Sequence, residues 1–149
     1  MYKIILVPLD GSKRAEAILP HVENLSTCFN AEVIFLIVEE PALLLEHDEV
    51  IDMPQYMMER DQQKQITESY LSSVQEKFQA KGVKARTLIG SGQVVKSIVE
   101  TAEREKAELV AMASHGHSGS IRTFYGSVAA GVLQRIDRPL LLIRSRRIE

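Results

Sequence analysis

The chain reads as a doubly wound α/β domain built on a five-stranded parallel sheet, and three observations lead there. Short apolar runs alternate with longer segments whose apolar residues recur at helical spacing, the pattern of repeated βαβ units. Four of these runs are apolar on both faces, as strands covered by helices on both sides must be. The third observation is the stretch from Met112 to Val128, MASHGHSGSIRTFYGSV, which sets three glycines and four serines between a buried run and a helix. In an α/β protein that is where backbone holds an anion: glycine admits the ligand, N–H groups and hydroxyls donate, and the next helix presents its positive end. A nucleotide is the ligand this loop implies.

Taken in order, Ile4 to Leu9 is the first strand and Ala15, Leu19, Val22 and Leu25 are the apolar stripe of the first helix. Val33 to Val38 is the second strand. A long connection follows, containing a helix with the stripe Ile66, Tyr70, Val74 and Phe78 and a stop at Gly82. The next run alternates, with Val83, Ala85, Thr87 and Ile89 on one face and Lys84, Arg86 and Leu88 on the other, which marks an edge strand. Val95, Ile98, Val99 and Ala102 stripe the third helix, and Leu109 to Ala113 is the fourth strand. Ser127 caps a fourth helix striped by Val128, Val132, Leu133 and Ile136, and Pro139 separates it from the last strand, Leu140 to Ile143.

Right-handed crossovers leave few ways to arrange these elements, and the commonest gives the sheet order 3-2-1-4-5. The winding then reverses between strands 1 and 4, and ligands of open α/β sheets bind in the crevice beyond the C-terminal ends of such a pair. The loops that open there are PLDGS at residues 8 to 12 and ASHGH at 113 to 117.

Composition limits what surrounds this crevice. At 149 residues and 45% hydrophobic content the chain suits a single domain over 1–149 with one real core. The net charge of -2 offers no field to recruit nucleic acid or an anionic membrane, so neither is an expected partner. Lone Cys28 makes no internal disulfide and sits in a helical apolar pattern, suiting a reducing compartment and a packing role. The opening MYKIILVPLD has the features of neither a signal nor a membrane segment, so a cytoplasmic location is expected.

Other groups have plainer readings. His115 and His117, in a glycine loop with no nearby Cys or third His, make a poor tetrahedral metal site. Glu39 to Asp61 holds eight carboxylates against Arg60 alone, which reads as a solvated connection more than as acid–base machinery. Met53, Met57 and Met58 pack onto the domain by default or form an adaptable contact surface. Asp10 before Gly-Ser is by itself a common turn and helix cap, and its place at the switch point is what favours a ligand role.

Along its whole length the chain resembles the universal stress proteins. IILVPLDGS followed by a helix is similar to that family's first strand and aspartate. The loop is similar to its nucleotide signature, GxxG, nine residues, then GS: Ala113, Gly116, Gly126 and Ser127 take the four defining places, with alanine for the first glycine. The resemblance implies a Rossmann-like fold of the adenine nucleotide alpha hydrolase kind, and ATP binding as in members that carry the signature. It implies that Asp10 serves the ribose or adenine side, that Val38 offers backbone to adenine, and that Pro8, Leu9 and Met112 form apolar walls. Gly116, Gly126, Ser127 and Val128 would hold phosphates, His117 and Arg122 would add charge, and Ala113 and His115 belong to the same loop. The expected ligand is ATP, or AMP or ADP, with Mg or Mn held through the phosphates.

The function this implies is regulatory, in the response to stress. No P-loop lysine pattern is present, so at most slow ATP hydrolysis is expected. An apolar last strand at a sheet edge needs cover, which points to a homodimer through residues 139–144, similar to the family's common dimer, with Arg144, Arg146 and Arg147 beside it. The alternative is a nucleotide-independent structural or interaction protein with a vestigial pocket, favoured by Ala113. An enzyme of nucleotide-activated chemistry would need a further domain or a nucleophile that the chain does not display.

Overall fold

In the computed structural model, which describes residues 1–40, 52–114 and 126–145, five parallel strands form one sheet of order β3-β2-β1-β4-β5. The strands are β1 (Ile4–Leu9), β2 (Glu32–Glu39), β3 (Lys84–Ser91), β4 (Leu109–Ala113) and β5 (Leu140–Ile143). The helices are α1 (Leu19–Phe29), entered through a 3-10 turn at Ala15–Ile18, α2 (Met53–Gln79), α3 (Val94–Arg104) and α4 (Ser127–Arg135). Both the order and the parallel pairing are those the sequence implies.

Each face of the sheet buries its own apolar layer, which is why the central strands read as continuous apolar runs. On one face Ile5, Val7, Val33 and Phe35 pack with Val22 of α1 and with Leu71, Val74 and Phe78 of α2. On the other, Leu6, Ile34, Leu36, Val110 and Met112 pack with Ile98 and Ala102 of α3 and Ala129 and Val132 of α4. The two helix layers lie on opposite faces, so the winding reverses between β1 and β4. The β1–β4 ladder covers only Ile5↔Leu109 and Leu6↔Val110, while β1 runs on to Leu9 and β4 to Ala113. Those strand ends frame the crevice.

α4 is held close to α3 at Gly131, where a Cβ would come within 2.7 Å of Val95 Cγ2. At the other end of the α3–α4 layer, Arg138 Nη1 donates to Ala102 O at 2.8 Å and to Ala107 O at 2.9 Å. Ala102 O also accepts from Ala107 N at 2.9 Å, so Arg138 adds a second donor at the α3 C-terminus and fixes the loop that follows it.

Four details depart from the sequence reading. α2 starts at Met53, so much of the expected acidic connection is helix; Asp52 caps it by accepting from Gln55 N at 3.3 Å. Its buried face is Thr67, Leu71, Val74 and Phe78, which leaves Ile66, one residue or about 100° away, 63% exposed. Leu133 is likewise 53% exposed because α4 buries Ala129 and Val132 instead. Cys28 is exposed near the end of α1, so it has no packing role, and Met53, Met57 and Met58 are exposed too.

Candidate functional site at the switch point

A cleft of about 1010 Å³ opens where β1 and β4 end, at the upper limit of ordinary small-ligand sites. Its floor is the strand tips: Pro8, Leu9 and Asp10 from β1 and its turn, Val38 from β2, and Met112 and Ala113 from β4. Gly126, Ser127 and Val128 at the start of α4 form one wall. Nine of the residues expected at the site therefore line one cleft. The other four, His115, Gly116, His117 and Arg122, lie outside the described residues.

Asp10 makes the turn expected of it and lines the cleft. Its Oδ1 accepts from Ser12 N at 2.9 Å and from Ser12 Oγ at 2.6 Å, closing the turn after β1, and Ser12 Oγ accepts from Ala15 N at 3.2 Å. Its Oδ2 takes part in none of these bonds, and the side chain is exposed at the cleft floor. The turn thus orients the carboxylate without using it up.

The α4 entry is built for close approach. Gly126 has φ 71° and ψ 149°, a conformation only glycine adopts readily, and it occupies the N-cap position. Ser127 is the first helical residue and no side-chain cap is made, a shift of one position from the sequence reading. The first helical hydrogen bond runs from Ala130 N to Gly126 O at 3.0 Å. The N–H groups of Ser127, Val128 and Ala129 precede it and are available at the positive end of the helix.

Ala113, in the place of the signature's first glycine, is part of β4 and pairs in register with Ile143 of β5. It is absent from the positive-φ positions, Gly11, Asn30, Gly82, Gly92, Lys106 and Gly126. Extended backbone accepts alanine without strain.

Sequence reasoning missed a second wall. α2 is 27 residues and about 40 Å long, against roughly 26 Å for β2, so its N-terminal turns stand beyond the sheet. Tyr56, Arg60, Gln63, Thr67 and Tyr70, spaced by three or four residues, turn one helix face into the cleft. The Arg60 guanidinium lies 5.8 Å from the Tyr56 ring centroid, a cation–π distance. Tyr70 donates to Glu16 Oε2 at 2.8 Å; burial first, then this bond, holds its proton well above the ordinary phenol range. The signal was a polar 3-4 repeat, which apolar periodicity does not register. Two buried oxygens on the cleft walls, Glu39 Oε1 and Ser114 Oγ, make no hydrogen bond. Among the described residues no group of three or more His, Cys, Asp or Glu is placed to hold a metal, and none of the helices is long and apolar enough to cross a membrane.

A parallel sheet with a glycine-led helix entry at its switch point defines an α/β domain of the Rossmann-like kind. The chain belongs to the universal stress protein family, which matches it over residues 1–144. The universal stress protein MJ0531 of Methanocaldococcus jannaschii is 29% identical, across 100% of this chain and 86% of its own. MJ0577 of the same organism is 27% identical across 98% of this chain and 97% of its own. The solved MJ0577 structure has a TM-score of 0.82, covering 99% of both chains. A family member solved with cAMP has a TM-score of 0.68 at 20% identity, covering 97% of this chain and 98% of its own. Another, from Archaeoglobus fulgidus and solved with dAMP, has 0.61 at 18%, covering 96% and 98%.

Proposed function

We propose that this chain binds an adenine nucleotide, ATP foremost and AMP or ADP as well, in the switch-point cleft, and serves as a regulatory module of the stress response. The observation that carries the reading is the convergence of Asp10, Val38, Met112 and the α4 entry at Gly126–Val128 on one cleft from four separate segments. The chemistry fits in parts. The free oxygen of Asp10 suits ribose hydroxyls, the apolar residues Leu36, Val38, Met112 and Val128 suit a flat base, and the α4 N–H groups suit phosphate. The family members solved with cAMP and with dAMP support the reading, since both ligands are adenine nucleotides.

In this account Mg or Mn arrives with the triphosphate, held by phosphate oxygens and water. The protein works as a homodimer in the cytoplasm, paired through residues 139–144. It holds ATP as a signal, with slow turnover at most. Mass spectrometry of the small molecules released when the natively purified chain is denatured tests this directly. Stoichiometric adenine nucleotide supports the reading; protein that neither carries nor takes up such a nucleotide sinks it.

A further inference from the structure

Ser114 is 2% exposed, and its Oγ meets neither donor nor acceptor although it lines the cleft. Its backbone is satisfied, since the N–H donates to Ile143 O of β5 at 2.7 Å, which fixes the residue just past the tip of β4. Buried hydroxyls are nearly always paired, because an unmade bond leaves the desolvation cost uncompensated. A buried, unpaired hydroxyl on the wall of a ligand cleft is therefore best explained by a partner that the ligand supplies.

The position says which part of the ligand. Side chains alternate along a strand, and Val110 and Met112 belong to the layer that packs Ala129 and Val132 of α4. Ser114 continues that series on the same side. α4 runs back from the C-terminal edge of the sheet, so its first turn stands level with the strand tip. There the N–H groups of Ser127, Val128 and Ala129 precede the first helical hydrogen bond, Ala130 N to Gly126 O. An uncharged donor lining the same cleft as three such groups matches an anion.

We propose that Ser114 is a phosphate-binding residue, its hydroxyl donating to a phosphate oxygen of the nucleotide together with the N–H groups that open α4. This rests on the nucleotide reading above and adds to it a residue lying between the signature's defining positions. It has a consequence that a structural role lacks. Removing an unpaired hydroxyl leaves the ligand-free chain at least as stable, while phosphate affinity falls.

Calorimetric titration of the nucleotide-stripped chain with adenosine, AMP and ATP tests it, using Ser114→Ala and the near-isosteric but weakly donating Ser114→Cys. Loss of a hydrogen bond to a charged acceptor predicts roughly 10- to 100-fold weaker ATP binding. Adenosine affinity should hold, as should the ligand-free melting temperature. ATP affinity within about threefold of the unaltered chain in both variants overturns the role of Ser114 alone. Equal losses for adenosine and ATP overturn it as well, by pointing to the nucleoside end. An unaltered chain that binds no adenine nucleotide overturns the nucleotide reading itself and this proposal with it.

Discussion

Tyr70 of α2 donates its hydroxyl to Glu16 Oε2 in the 3-10 turn at 2.8 Å, joining positions 54 residues apart beside the cleft. The bond ties the core-packed part of α2, just past its projecting turns, to the turn that follows Asp10. Tyr70 lies one turn inside the buried part of α2, which runs from Thr67 to Phe78. Tyr70→Phe should cost about 1 kcal/mol, the usual net worth of such a bond, read by chemical denaturation.

The same contact gives a pH dependence. Burial, then the bond to Glu16, raises the Tyr70 pKa above its ordinary value of 10.0, so the folded chain holds this proton more tightly than the unfolded chain. The contribution to stability is therefore complete below about pH 10 and is lost as pH rises beyond it. Spectrophotometric titration should show a tyrosine ionising well above pH 10, and that late step should vanish in Tyr70→Phe.

Gly126 combines φ 71° with ψ 149° at the α4 N-cap. Gly126→Ala should destabilise the chain by about 1–3 kcal/mol, the cost of forcing a side chain into that region, and should weaken ATP binding as the α4 entry shifts. Denaturation and titration of the same variant measure both effects.

Ala113→Gly should change ATP affinity by less than about threefold, because position 113 is extended strand and needs no glycine. A large gain in binding would instead revive the reading of a vestigial pocket.

The proposed dimer is tested at the sheet edge. Val110 N donates to Pro139 O and Ser114 N to Ile143 O, so residues 139 and 143 face β4 and the alternate residue Leu142 turns its N–H to the free edge. Leu142→Pro should keep the β4–β5 pairing and remove the donor that a second subunit would use. Sedimentation should then report a folded monomer in place of a dimer.

How much was legible in the sequence follows from which interactions leave a periodic trace. β1, β2 and β4 are buried on both faces and appear as unbroken apolar runs; β3 alternates because its outer residues, such as Lys84, meet solvent. Sheet order followed from the handedness of crossovers. The first turns of α2 left no such trace, because Met53–Ile66 buries nothing. They form through the Asp52 cap, a proline at the start, and residues of good helix propensity. Asp10 and Gly126 were legible because strand ends and glycines locate a switch point, whereas Val38 followed only from the family resemblance. Ser114 was not: one serine among four in its loop is marked only once the strand register buries it.

The central claim is that the switch-point cleft holds an adenine nucleotide. Isothermal titration of the nucleotide-stripped chain with ATP tests it most directly. A cleft that holds the nucleotide gives saturable binding of one ATP per chain, abolished when Gly126→Val blocks the α4 entry. Absence of any binding heat at millimolar ATP, or equal affinity in the Gly126→Val chain, would contradict it.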